Sequence, residues 1–282
     1  MARLDESDSA RPVGSPDVAE LPAVTPHEAA MTLEWVTGEF MLRWLARVPG
    51  VNIERFGRAR GACAPDRPEL DFHNTVHRLL PDDLEQVPHI AERYAAAGVR
   101  PWLELMPAPG FERLAAVLRE TGAQQVDFLG VFERDLPKAP SKPAPAIDIL
   151  QPPPDIEEFS TVLLTGHGLP KDQLAKAVPL NTPMAAVEGA TLYLATVDGR
   201  PAAAGALFVH NGIGHLANAS TMPGYRGLGC QTALIERRLQ DAAAAGCSRA
   251  SVVAMWDSQS HRNLARAGFR TAYTKAVWRF GE

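Results

Sequence analysis

The segment of this chain best suited to chemistry is Ser220–Leu234, STMPGYRGLGCQTAL. A strand ends at Met222, and Pro223, which has no N–H to donate, stops its ladder. Arg226, Gly227 and Gly229 then form a tight turn into a long helix. Glycines there let backbone approach a ligand closely. The free N–H groups of the first helical turn, together with the helix dipole, bind an anion. A pyrophosphate matches such a cradle, and Arg226 adds a fixed positive charge at its rim. A glycine turn before a helix is also plain turn chemistry, and these residues alone leave both readings open.

Other reactive side chains form no comparable group. Cys63, Cys230 and Cys247 make no CxxC or Cys/His metal spacing. Three cysteines so placed fit a reducing compartment better than a disulfide scaffold. None lies in a triad-like context. His73, His77 and His89 show no metal-ligand pattern and read as packed or solvated histidines, so no metal is expected. The charge balance excludes further classes: 28 Lys and Arg against 33 Asp and Glu give a formal net charge of −5, with no basic stripe for a phosphate backbone. No apolar run has the roughly 18 residues needed to span a bilayer. A cytoplasmic protein, monomeric or a homodimer, without nucleic-acid or membrane partners, is the expectation.

The elements that must position the turn follow from periodicity and punctuation. Residues 1–24 (MARLDESDSARPVGSPDVAELPAV) have no apolar core and read as a disordered lead-in rather than a signal peptide. Thr25–Leu45 reads as a helix. Val51–Arg60 and Asn74–Leu80 read as strands, and Asp82–Ala97 as a helix kinked or started late by Pro88. A strand (Pro101–Met106), a helix (Phe111–Thr121) and a strand (Gln125–Arg134) follow. Pro137–Ala146, PKAPSKPAPA, holds four prolines in ten residues; it sustains neither a helix nor a central strand and reads as a semi-rigid linker.

Beyond the linker, helices are expected at Asp155–Leu164 and Lys171–Val178. Strands at Thr191–Val197 and Pro201–His210 meet at Asp198-Gly199, a hairpin signal. The strand Ile213–Met222 enters the glycine turn. Its helix closes at Gly246, and a strand (Ala250–Met255), a helix (Gln259–Ala267) and a last strand (Thr271–Phe280) complete the order. The two halves end alike, with helix-closing glycines at Gly98 and Gly122 in one and at Gly246 and Gly268 in the other. ERYAAAGVRPWLEL also parallels LQDAAAAGCSRASVV. This reads as a weak internal repeat.

Arg226 and Gly229 stand where the Arg/Gln-x-x-Gly-x-Gly/Ala signature of the GNAT superfamily of acyl-CoA-dependent N-acetyltransferases has its first and fourth positions. Thr221-Met222-Pro223 resembles the strand end before that signature, and Ser258–Phe269 (SQSHRNLARAGF) resembles the family's closing segment. Gln231 departs from the small residue at the sixth position. The resemblance covers the second half of the chain. It implies an α/β fold with a mixed sheet, in which the strand before the turn and the next strand splay apart near a bulge. The pantetheine arm of acetyl-CoA would lie in that cleft along Ala219, Ser220 and Thr221. Its pyrophosphate would sit on the amides of Arg226, Gly227, Leu228, Gly229, Cys230 and Gln231. Ser258 and Asn263 would touch the CoA arm, although helix capping explains Ser258 and solvation Asn263 equally well.

For catalysis, the position of the family's frequent strand carboxylate holds His215. An imidazole of near-neutral pKa can serve as general base, or be an ordinary strand histidine. The family's frequent thiolate-protonating Tyr is replaced by Leu264, and Tyr273 reads as sheet packing. In the first half, Arg78-Leu79-Leu80-Pro81-Asp82-Asp83 aligns with the phosphate turn. It has no glycine and two carboxylates, so that half reads as a degenerate GNAT-like domain (25–136) before a GNAT domain (147–282). The expected activity is acetyl transfer from acetyl-CoA to an amine of a small molecule or peptide, by direct attack. An acyl-CoA-binding sensor without turnover, and an O-acyl or longer-chain acyltransferase, are the alternatives.

Overall fold

The computed structural model describes residues 25–70, 73–136 and 147–281. The expected lead-in (1–24) and proline-rich linker (137–146) lie outside the described residues. α1 (Pro26–Leu45) begins at a capping box: Glu28 N–H donates to Thr25 Oγ1 at 3.2 Å, and Thr25 N–H donates to Glu28 Oε2 at 2.8 Å. Such a cap contributes about 1 kcal/mol. Its apolar stripe buries Leu33, Val36, Phe40 and Trp44.

The single strand expected at 51–60 is instead a hairpin, β1 (Asn52–Phe56) and β2 (Ala59–Cys63). Gly57 takes φ 61°, the left-handed conformation that reverses the chain. β3 (Thr75–His77) is shorter than expected, because the chain leaves the sheet at Arg78, φ 63°. A 3₁₀ turn (Pro81–Gln86) precedes α2 (Val87–Ala96), so Pro88 delays the helix rather than kinking it. β4 (Trp102–Leu105), α3 (Phe111–Glu120) and β5 (Ala123–Asp135) complete the first half as expected.

The second half opens on β6 (Asp148–Leu150), an edge strand too short for the sequence to signal. α4 (Ile156–Gly166) is capped by Asp155, and α5 (Lys171–Asn181) follows. Then come β7 (Ala190–Val197), β8 (Arg200–His210), β9 (Ile213–Thr221), α6 (Cys230–Ala244), β10 (Arg249–Met255), α7 (Gln259–Arg266) and β11 (Arg270–Phe280).

Among the described residues, eleven strands form one mixed sheet in the order β1-β2-β3-β4-β11-β5-β10-β9-β8-β7-β6. Outward from the central β11–β5 pair, the two sides repeat the same pairings. β4 joins β11 antiparallel, as β10 joins β5. β3 then joins β4 in parallel, as β9 joins β10, and antiparallel strands follow on both sides. The internal repeat is therefore real in the architecture, a pseudo-two-fold about β11 and β5. Each half's last strand leaves its own neighbours and inserts against the other half: β11 lies beside β4, and β5 beside β10. α2, α3, α6 and α7 cover one face of the sheet, and α1, α4 and α5 the other. On β7, alternation sends Leu192 and Leu194 to the α1 and α4 core, and Tyr193 and Ala195 to the α6 core.

Candidate functional site

β9 and β10 pair only from Ile213–His215 to Arg249–Ser251. Beyond that short ladder they separate, opening a cleft in the sheet. The outer side of β9 carries a bulge: its register with β8 shifts between Ala204 and Ala206, and Asn218 takes φ 39°. A bulge bends its strand and re-aims it, which here turns β9 away from β10.

Arg238, on the buried face of α6, holds that distortion in place. Its Nη1 donates to Ala206 O at 3.1 Å and Ala217 O at 3.3 Å, and its Nε to Leu234 O at 3.0 Å. Gly205 leaves it room, since a Cβ there would come within 3.1 Å of the guanidinium. Burial pulls the Arg238 pKa down to about 10, which leaves it charged at neutral pH. Sequence reasoning missed this residue. An Arg on an amphipathic helix reads as solvated, and only the bulge explains why a cation is drawn inside.

At the end of β9 the chain makes a short 3₁₀ turn (Pro223–Tyr225) and passes through Gly227 (φ 82°) and Gly229 (φ 87°) into α6. Gly229 supplies no side-chain cap, and the first turn of α6 carries no acidic residue. The positive end of the helix dipole and its leading amides therefore face outward, as an anion site requires. Arg226 is exposed and anchored: Nη2 donates to Gly166 O at 3.1 Å and Nε to Thr221 O at 3.4 Å. It ties the loop to the end of α4 while its charge stays at the rim. Leu228 projects into solvent.

The remaining expected residues divide. Ala219 lies on the cleft wall, and Gln231 turns into the cavity with a buried Oε1 that has no protein partner. Thr221 Oγ1 is likewise buried and unpartnered. Orphaned acceptors beside an uncapped helix fit a polar ligand arm. Ser220 faces away, its hydroxyl donating to Leu163 O at 2.7 Å, so only its backbone is free for a ligand. Cys230 is buried, and burial pushes its thiol pKa up. Ser258 caps α7 by accepting from His261 N–H at 3.1 Å, and it also lines the cavity. Asn263 does not reach the cavity lining. Its Oδ1 accepts from Gln259 and Arg266 on its own helix.

His215 reaches the cavity at the last rung before the strands part, its Nδ1 3.0 Å from Ser251 Oγ. Its expected near-neutral pKa is overturned. Burial, with further repulsion from Lys275 and Arg238, pulls it down to about 3. The imidazole is neutral throughout the physiological range and stores no proton. Leu264, where a Tyr was looked for, is buried against the cavity. Tyr273 is more than sheet packing: its hydroxyl donates to Glu34 at 3.0 Å.

The cavity has a volume of about 770 Å³ and continues from the cleft beneath α1, α4 and α5. The first half supplies much of its far wall, with Phe40, Met41 and Trp44 of α1, His77 of β3 and Glu104 of β4. The segment of that half that aligns with the glycine turn is filled by its own side chains. Asp83 Oδ1 accepts from Arg58 N–H at 2.9 Å. Arg78 stacks 3.7 Å over Trp35 and pairs with Glu39 at 2.9 Å. Among the described residues, no group of three or more His, Cys, Asp or Glu is arranged to hold a metal ion, and no helix is long and apolar enough to cross a membrane.

Residues 179–255 match the family model of an acetyltransferase (GNAT) domain. Over most of its length the chain is similar in fold to a GCN5-related N-acetyltransferase from Kribbella flavida (16% identity, TM-score 0.64, 90% of this chain and 96% of that one). It is also similar to a tandem GNAT protein from the clavulanic acid biosynthesis pathway (14% identity, TM-score 0.59, covering 89% and 92%). A conserved protein of unknown function from Staphylococcus epidermidis aligns as well (13% identity, TM-score 0.60, covering 83% and 94%). No curated protein matches the chain. The fold is thus the GNAT fold, in tandem.

Proposed function

We propose that this tandem GNAT chain transfers an acetyl group from acetyl-CoA to an amine, using one cofactor site in the second half and an acceptor pocket walled by both halves. The observation that carries this reading is the opening of an uncapped α6, entered through left-handed Gly227 and Gly229, beside the splayed end of β9. The amides of Gly227 to Gln231 would hold the pyrophosphate, with Arg226 at the rim. Ala219 to Thr221 have no strand neighbour on the β10 side, so their backbone is free to pair with the pantetheine arm. Acetyl-CoA supplies the activated acyl group; the protein positions it and excludes water.

Proton handling in this site departs from the expected general base. A group of pKa about 3 is a weak acceptor for the proton of an ammonium. The neutral imidazole of His215 instead orients an amine by accepting a hydrogen bond, and the amine enters deprotonated or loses its proton to water. Localisation in the cytoplasm and a monomeric or homodimeric state accompany this reading. The test is calorimetry with acetyl-CoA, followed by free-thiol release against an amine library. The expected outcome is one CoA per chain, transfer to at least one amine, and a loss of affinity of a hundredfold or more in Gly229→Glu with the fold retained. That variant places bulk and a negative charge at the phosphate cradle. Two CoA per chain, or unchanged affinity in the variant, would sink the site assignment.

A further inference from the structure

The far end of the cavity is polar in a way that acetyl transfer itself does not need. Lys275 of β11 is fully buried between two carboxylates, 2.8 Å from Glu34 of α1 and 3.0 Å from Glu104 of β4. Tyr273 donates to the same Glu34. Two carboxylates against one ammonium leave a formal charge of −1 at this place. Glu104 keeps its carboxylate at 15% exposure and lines the cavity. His77, only 1% exposed, stands beside it. Its Nδ1 has no hydrogen-bond partner and lies 3.6 Å from Glu104 Oε2, too far for a bond. Its Nε2 is already near Thr75 Oγ1 at 3.4 Å. Burial holds the imidazole neutral, against the pull of Glu104, and in the tautomer whose Nε2–H donates to Thr75 Oγ1, Nδ1 is left to accept a hydrogen bond.

This pole lies across the sheet from the opened end of β9, with Lys275 on the intervening β11 still near enough to repel His215. The register runs from Met255 on β10 to Leu129 on β5 and on to Lys275 on β11, and Glu104 on β4 stands opposite Val277 of β11. These residues mark a trough that crosses the strands. Three strand spacings separate β4 from β10, roughly 14 Å. Between the ends, the walls are apolar: Phe40, Met41 and Trp44 on one side, Leu129 and Val253 on the other.

Resting on the acetyltransferase reading above, we infer that the acceptor is an elongated molecule with two cationic ends joined by an apolar spacer. One amine is presented at the cleft, and the other, as an ammonium, is held by Glu104 and His77. An ammonium there offsets the formal −1 and donates both to Glu104 and to the orphaned Nδ1. A single-headed amine of the same length fills one end only: with its amine at the cleft it leaves Glu104 and Nδ1 unmet, and reversed it puts an alkyl end at the cleft, so either way its affinity is lower.

The test compares α,ω-diaminooctane with octylamine by calorimetry on the full chain, with and without CoA, in wild type and in Glu104→Gln. The expected result is binding of the diamine at least tenfold tighter than octylamine, with the preference lost in a Glu104→Gln protein that still melts cooperatively. Equal binding of the two amines in wild type overturns the inference without any variant. A preference that survives Glu104→Gln overturns the placement. Failure of CoA to bind is read in the CoA titration itself and strikes the acetyltransferase reading, while the amine comparison without CoA still reports on the trough.

Discussion

At the scale of single residues, His215 shows how environment outweighs identity. A histidine is chosen as a base for its near-neutral pKa, yet here burial, with repulsion from Lys275 and Arg238, pulls it to about 3. His215→Ala is therefore expected to lower kcat by about tenfold, the worth of one hydrogen bond. The acidic limb of the pH–rate profile between pH 5 and 8 should remain, because that limb belongs to the amine. A variant that abolishes the limb would restore His215 as the base. The same shift carries a stability cost in acid. Between its folded pKa of about 3 and the unfolded value near 6.5, the unfolded chain binds the proton and the native chain does not, so stability falls as pH drops through that window. At pH 5 the loss is about 2 kcal/mol from this group. Thermal melting from pH 7 to pH 4 should show it, with a shallower slope in His215→Asn.

At the scale of elements, the cleft is held by α6 as much as by the strands. Arg238 satisfies the two carbonyls that the bulge leaves beside it, Ala206 O and Ala217 O. Arg238→Met fills similar volume but removes both donors, leaving buried acceptors that cost about 1–3 kcal/mol. The expected result is a lower melting temperature together with weaker acetyl-CoA binding, since β9 would relax toward β10. A variant that is destabilised but binds acetyl-CoA normally would show that the bulge stands without its cation. The elements around the cleft were largely legible. Gly227 and Gly229 announced the turn, and the hairpin at Asp198-Gly199 formed as expected. β1 and β2 were merged in the sequence reading because one glycine inside a run of mixed apolar and polar residues (VNIERFGRAR) looks the same in a strand as in a turn.

At the scale of the whole molecule, the exchange of β5 and β11 makes each half depend on the other. Without residues 25–136, β10 would lose its antiparallel partner along Arg249–Met255, and β11 would lose both neighbours. The buried Lys275 would also lose Glu34 and Glu104. Removing the partners of a buried charge typically costs 3–5 kcal/mol. A fragment of residues 147–282 alone is expected to aggregate or remain unfolded in circular dichroism and size-exclusion chromatography. A monomeric, cooperatively melting fragment would contradict that dependence. An exposed, unpaired strand edge is an invitation to association, so co-expression with the first half should rescue solubility.

The sequence alone determined what depends on neighbours along the chain. Helix starts follow from caps such as Thr25 and Asp155, turns from glycines that accept positive φ, and the entry to α6 from a strand, two glycines and a helix in succession. The absence of such a glycine turn at Pro81-Asp82-Asp83 in the first half is equally local. The tertiary structure decided what depends on residues far apart. That β5 and β11 cross over, that α1 roofs the cavity, that Arg238 turns inward and that Glu34, Glu104 and Lys275 meet are long-range pairings with no local signature. The pKa of His215 belongs with them, because desolvation is a property of everything packed around a group and not of the strand that carries it.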